Sequence, residues 1–275
     1  MLSQGFAVAR AALSSLDGVM AIPHVLILGG TSEARVLARH LVARGDMRVT
    51  LSLAGRTENP LPQAGDVRVG GFGGAPGLTQ WLRAGQVDVL VDATHPFAAR
   101  ITANAVEASR AAAVPLVRLE RAPWEPQPGD DWVAARDIDH AAALLGEAPR
   151  TVFLAIGRQE AGRFAIRPQH RYIVRSVEPV DMAERIAGAH YILNRGPFAE
   201  ADEHALLLAH GVEIVVAKNS GGEATYGKIA AARQLGLPVV MVSRPQPPVG
   251  DAAATVDEAI MRICRHAGLP ADRGE

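Results

Sequence analysis

The chain is poor in the residues that most directly advertise a function. It has one cysteine, Cys264, in 275 residues, which excludes an intramolecular disulfide and a cysteine-rich zinc site and fits a reducing, cytoplasmic setting. Aromatic residues are 4% of the total and the formal net charge is −1. Nucleic-acid binding, which calls on a basic excess and stacking rings, is not expected. No apolar run approaches the roughly 20 residues that cross a bilayer, so no membrane role is expected. Residues 1–21 make a weak signal peptide, because the first cation is Arg10 and Ser14, Ser15 and Asp17 break the apolar stretch. They read as a poorly ordered N-terminal extension, or as an upstream start with Met20 near the natural beginning.

What the chain does have is alternation. With 48% hydrophobic and 21% charged residues it can bury one large core or two modest ones. Apolar strand patterns (HVLILG, RVTLSLAG, DVRVGG, VDVLVDAT, PLVRLE) are interleaved with helical ones. In SEARVLARHLVARG, Ala34, Leu37, Ala38 and Leu41 fall on one face. Proline, glycine and acids gather in RAPWEPQPGDD, after which the alternation resumes through TVFLAIG, RYIVRSV, HYILNRG, VEIVVAK and PVVMVSRP. The expectation is an α/β protein of two domains with mainly parallel sheets and a cleft between them: 22–122, a linker at 123–131, and 132–275.

The first strand runs into Gly29-Gly30-Thr31-Ser32-Glu33-Ala34 and then a helix. Strand, glycine turn and helix in this order suit a phosphate, which the free amides and dipole of the helix N-terminus favour. The turn departs from G-x-G-x-x-G: Gly29 can make the tight turn and Ala34 can pack helix on strand, but Thr31 stands where the second glycine belongs. An ordinary N-cap is the alternative. At the end of the second strand, where a carboxylate would bond the ribose 2′-OH of NAD, stand Ser52, Gly55 and Arg56. A guanidinium suits a 2′-phosphate and favours NADP, although Glu58 keeps NAD open. Thr94 and His95, in DATHPFAAR, lie just past the fourth strand, at the edge where parallel sheets bind ligands. A histidine that merely caps the next helix is the alternative there.

In the second half, VVAKNSGGEATYGK places Lys218, Asn219, Ser220, Gly221, Gly222, Thr225 and Lys228 between strand and helix. Two amines, polar side chains and exposed amides suit an anion. The stretch is not a Walker A loop, and a plain polar connection is the alternative. Residues 161–177 contain no acid but hold Arg163, Arg167, His170, Arg171 and Arg175, either a solvated face or the lining of a site for a polycarboxylate. NRGPF adds Arg195 at another strand end.

Together LGGTSEARVLA, SLAGR, GGFGG, DATHPFAARITANA, LVRLERAPW, ILNRGPF and KNSGGEATYGKIAAA resemble the precorrin-6A reductase family of cobalamin biosynthesis, over about residues 22–245. The resemblance implies two Rossmann-like domains and an NADPH-dependent reduction of one double bond, in the C18–C19 region, of the precorrin-6A macrocycle. Hydride goes to C19, a proton goes to the neighbouring carbon, and precorrin-6B is formed. It assigns Gly29, Gly30, Thr31, Ser32 and Glu33 to the cofactor turn, Arg56 to the 2′-phosphate, and Gly71, Phe72 and Gly73 to the adenosine half. Thr94 and His95 fall near the ribose or nicotinamide. Arg195, Lys218, Asn219, Ser220, Gly221, Gly222, Thr225 and Lys228 fall to the substrate's carboxylates. His95, Lys218 and Tyr226 are the candidate proton donors, with solvent as the fourth, and no metal is called for. Related reductases act on cobalt-containing precorrin-6A, so the metal content of the substrate stays open, as does the oligomeric state. Two other readings are weaker. A short-chain reductase would need Tyr-x-x-x-Lys, but Tyr172, Tyr191 and Tyr226 are followed three residues on by Arg175, Asn194 and Ile229. A nucleotide-sensing module without turnover leaves KNSGG unexplained.

Overall fold

The computed structural model describes residues 22–55, 62–246 and 251–271. In the first half β1 (His24–Leu28), β2 (Arg48–Leu53), β3 (Asp66–Val69), β4 (Val89–Asp92) and β5 (Leu116–Leu119) alternate with α1 (Ser32–Arg44), α2 (Gly74–Ala84) and α3 (Ala99–Ala112). Then come β6 (Trp132–Ala135), α4 (Ile138–Leu144), β7 (Thr151–Ala155), α5 (Arg158–Ala161), β8 (Arg171–Ser176), β9 (His190–Leu193) and α6 (Glu200–Ala209). The chain continues through β10 (Ile214–Lys218), α7 (Gly227–Gln234), β11 (Val239–Val242), β12 (Asp251–Ala253) and α8 (Val256–Ala267). The central strands are continuous apolar runs because helices cover both faces of each sheet; all five residues of β1 are buried. Helix α1 starts where Thr31 accepts a hydrogen bond from the Ala34 N–H and ends where Gly45 turns left-handed at φ 69°. Leu37 and Leu41 on its inner face are fully buried.

Each sheet has six parallel strands, in the orders β12-β5-β4-β1-β2-β3 and β6-β11-β10-β7-β8-β9. Both have the order of a dinucleotide fold, 3-2-1-4-5-6, with the direction reversing between the first and fourth strands of each half. The sixth strands are exchanged. β6, which follows β5 in the chain, pairs with β11, while β12, which follows β11, pairs with β5. This corrects the expected second domain of 132–275: its last strand and helix belong to the first sheet. The physical reason lies in α8, whose Ala259, Ile263 and Cys264 are fully buried in one cluster with Leu37, Leu41, Val91 and Val117. Burying an isoleucine there contributes about 1.5–3 kcal/mol, and β12 shields the β5 edge. The expected linker is likewise a crossing segment, and the chain crosses back between β11 and β12. No helix among the described residues is long and apolar enough to cross a membrane.

Candidate active site between the two sheets

The turn after β1 is built by close packing. A side chain at Gly29 would meet Leu51 Cδ1 at 2.6 Å, and Gly30 adopts φ +123° with open space where a side chain would stand. Gly30 adopts a backbone conformation that favours glycine, while a side chain at Gly29 would need Leu51 to shift. The turn therefore leaves the N-terminus of α1 approachable by a phosphate. The Thr31 hydroxyl is otherwise engaged: it caps α1 and donates to the Ala93 carbonyl at 2.8 Å, which ties the turn to the end of β4 across the crevice. Ser32 Oγ donates to Glu33 Oε2 at 3.2 Å, and the same carboxylate oxygen takes Arg121 Nη1 at 2.7 Å. Glu33, expected at the cofactor turn, is thus held by the segment that crosses to the second half.

Past β4, buried Asp92 accepts the Thr94 N–H and hydroxyl at 3.1 and 2.6 Å, which shapes the loop that carries His95. The Phe97 N–H donates to His95 Nδ1 at 3.2 Å, so the single proton of the neutral ring sits on Nε2. Burial pushes His95 down to about 3, helped by the charges of Arg121, Lys218, Arg244 and Lys228. It is therefore a neutral donor in a positive field. Asp92, Thr94, His95, Arg118, Glu120 and Pro245 stand around a cavity of about 880 Å³, which α3 closes on one side.

The loop after β10 meets this one, since Lys218 Nζ lies 5.2 Å from the Phe97 ring centroid. Lys218 is also ion-paired to Glu160 at 2.6 Å. The loop's exposed-amide reading is corrected for Asn219 and Ser220. The Asn219 N–H goes to the Val242 carbonyl and the Ser220 N–H to the Lys218 carbonyl, while the loop's own carbonyls accept from Arg121, Arg244 and Trp124. Asn219 exchanges two side-chain bonds with the Trp124 backbone, at 2.7 and 2.9 Å. Gly221 and Gly222 are left-handed, and a side chain on Gly221 would come within 2.1 Å of the Ala122 carbonyl oxygen. These glycines serve the approach of the crossing segment. Lys228, expected to face the cleft, is 3% exposed. Its amine donates to the Thr225 carbonyl and lies 4.7 Å from the Trp124 ring centroid, and burial lowers it to about 7.

Two further expected residues are engaged by other side chains. The Tyr226 hydroxyl accepts from Arg233, which is ion-paired to Asp130, and Arg195 is 3.3 Å from Glu178 past the edge strand β9. On the other flank of the first sheet, Arg68 lies 3.8 Å from the Phe72 ring centroid and donates to the carbonyls of Gly70 and Gly71. Gly73 is the left-handed residue that opens α2. Arg56 lies outside the described residues.

Sequence reasoning missed Arg118, Glu120, Arg121 and Arg244. Glu120 joins Arg118 and Arg244, while Arg244 also donates to the carbonyls of Arg121, Ala122 and Asn219. The signal was the charge packed directly behind two apolar strands, in LVRLER and VVMVSR. What it lacked was the knowledge that both segments cross between the halves.

Comparison with known proteins gives one answer. The family described as precorrin-6x reductase CbiJ/CobK matches residues 24–264. The precorrin-6A reductase of Sinorhizobium sp is 52% identical over 88% of this chain and 92% of its own. That of Rhodococcus erythropolis is 47% identical over 85% and 93%, and the cobalt-precorrin-6A reductase of Priestia megaterium 28% over 86% and 96%. A solved structure of CobK precorrin-6A reductase, 42% identical, superposes with a TM-score of 0.86 over 92% of this chain and 100% of that one.

Proposed function

The chain belongs to the precorrin-6x reductase CbiJ/CobK family, and on that premise we propose that it reduces precorrin-6A to precorrin-6B with NADPH. The observation that carries the reading is the facing of two unlike edges: an open helix N-terminus at Gly30, and a neutral histidine beside the ion-paired Lys218, Arg121 and Arg244. The first fits the pyrophosphate of a dinucleotide, since Gly30 leaves the approach clear and the amides of α1 are the donors. The second fits the carboxylates of a tetrapyrrole, which a positive field draws in and neutralises.

In this reading Gly29, Gly30 and the start of α1 hold the cofactor's phosphates, with Arg56 assigned to its 2′-phosphate. When bound, a reduced nicotinamide would supply the hydride for C19. The protein's own part is positioning: Thr94 and His95 orient the reacting partners, and the charges of Lys218, Arg121 and Arg244 fix the macrocycle over them. His95, neutral through the physiological range, donates a hydrogen bond from Nε2 rather than a proton. Proton delivery falls to water, Lys218 or Tyr226, whose hydroxyl accepts from Arg233 and keeps its own proton.

The higher identity to the precorrin-6A reductases than to the cobalt-precorrin-6A reductase favours the metal-free macrocycle. The test follows loss of NADPH absorbance with metal-free and cobalt-containing precorrin-6A in parallel, with NADH as a control. One NADPH consumed per metal-free macrocycle, with NADH slower, is the expected result. Faster turnover of the cobalt form would reassign the substrate, and no oxidation with either would overturn the reading.

A further inference from the structure

At the carboxyl edges of the two sheets, one arginine differs from its neighbours. Arg118, Arg121, Arg175, Arg195 and Arg244 each pair with a carboxylate. Among the described residues Arg68, the last residue but one of β3, has no acid partner, although it is partly buried. Its guanidinium is held in place. Nη1 donates to Ser52 Oγ at 3.3 Å and to the Gly70 carbonyl, Nη2 donates to the Gly71 carbonyl at 2.6 Å, and the Phe72 ring lies against the fork at 3.8 Å. Three of the five N–H donors are used, which leaves the Nε–H and one Nη2–H.

The position of this fork matters. Ser52 is opposite Leu28 at the end of β1 and opposite Arg68 on the other side. Arg68 therefore lies two strand spacings, about 10 Å, from the turn at Gly29. A dinucleotide seated by its pyrophosphate at that turn lays its adenosine ribose over the end of the second strand, between the turn and Arg68. A planar, fixed guanidinium with two adjacent donors, and no carboxylate among the described residues to neutralise it, is the group that a phosphate monoester selects. We infer that Arg68 binds a phosphate on the adenosine ribose and so sets the preference for a 2′-phosphorylated nucleotide, with Phe72 and Ser52 holding the fork in register. This rests on seating the nucleotide at the first turn, as proposed above. It also moves the preference onto β3, away from sole reliance on Arg56.

The test titrates the full chain with 2′,5′-ADP and with 5′-AMP by calorimetry, for the wild type, Arg68→Ala, Arg68→Lys and Arg56→Ala. The wild type is expected to prefer 2′,5′-ADP tenfold or more. Arg68→Ala should erase that preference while leaving 5′-AMP within about threefold, and Arg68→Lys, which keeps the charge but not the fork, should retain part of it. Equal weakening of both nucleotides in Arg68→Ala would mean that the residue only supports the Gly70–Gly71 loop, and would overturn the inference. So would a preference that survives in Arg68→Ala and vanishes in Arg56→Ala. If Arg68→Ala does not fold, an unchanged preference in Arg68→Lys is the overturning result and a reduced one the supporting result. A wild type that binds neither nucleotide would defeat the first-turn seat itself, which is a different failure.

Discussion

The loops after β4 and β10 occupy the same place in two sheets of the same strand order, yet they are made differently. In the first half, the crevice between β1 and β4 is bridged by one hydroxyl, Thr31 to Ala93, and Gly30 stands open beside a helix of 13 residues. In the second half the equivalent first turn leads into an α5 of four residues, whose Glu160 is taken by Lys218. The loop after β10 is packed against the crossing segment through Gly221, Gly222 and Asn219. Topology thus offers two equivalent edges that side chains finish differently: the first leaves Gly30 open, and the second is closed by its own ion pair and by the crossing segment.

The largest expected effect tests whether the second half's edge is held by internal pairing. Arg175 and Glu203 form an ion pair with side chains 5% and 2% exposed, and Arg175 lies 3.7 Å from the Phe198 ring centroid. Glu203→Ala leaves a buried guanidinium uncompensated, at a cost of about 3–5 kcal/mol. Glu33→Ala, which breaks a pair 28% and 16% exposed, should cost about 1 kcal/mol or less. Urea unfolding of both variants measures the difference, and similar losses would dissolve the contrast between the halves.

Next in size are the glycines. Gly221→Ala meets a backbone carbonyl at 2.1 Å in a left-handed conformation and should destabilise by about 2 kcal/mol or more. Gly30→Ala meets nothing, so its cost is the backbone strain of φ +123° alone, about 1–3 kcal/mol. The sharper distinction is functional: Gly30→Ala should lose nucleotide affinity in the protein that remains folded, read by calorimetry beside circular dichroism. Nucleotide binding unchanged in Gly30→Ala would move the cofactor away from this turn.

Lys228 gives a smaller and pH-dependent effect. Its folded pKa, about 7, lies below the ordinary 10.5. Between those values the unfolded chain holds a proton that the folded one has released, so stability rises with pH across that window and falls as pH drops toward 7. Lys228→Met should raise the melting temperature at pH 7 and flatten its rise between pH 7 and 10. A melting curve with the wild-type slope would show that Lys228 is not the group responsible.

These contrasts also separate what the sequence could reveal from what it could not. Apolar runs and glycine turns located ten of the strands and both loops, because each is a local pattern, but not β6 or β12. The strand exchange was not legible: β12 is three residues long, and its pairing depends on which sheet edge lies free once the chain has crossed twice. The same crossings hid Arg121 and Arg244, whose donors serve backbone about a hundred residues away or more. They also inverted the meaning of Gly221 and Gly222, which resemble a phosphate cradle in sequence and are the imprint of Ala122 and Arg121 in space.

The smallest effect concerns His95, which sits where the two edges meet. Burial first, and the neighbouring cations second, keep it neutral, which makes its role positional. A general acid contributes typically 10²–10⁴-fold. A ring whose pKa is near 3 holds almost no proton to give at neutral pH, and its Nδ1 is already occupied by the Phe97 amide. His95→Ala should therefore lower kcat/KM modestly, by about tenfold or less, and remove no limb from the pH profile above pH 5. The same shift predicts a stability signature: between pH 6.5 and 3 the unfolded state binds the proton that the folded state refuses, so the wild type loses stability as pH falls through that window. His95→Ala should lose less. A thousandfold fall in kcat/KM together with a vanished limb near 6.5 would make His95 the proton donor, and would mean that substrate binding cancels the field of Arg121, Lys218, Arg244 and Lys228. A limb that stays in place with only a modest fall keeps the division of labour between the halves: one edge holds the reductant, the other sets the charge, and the histidine between them orients.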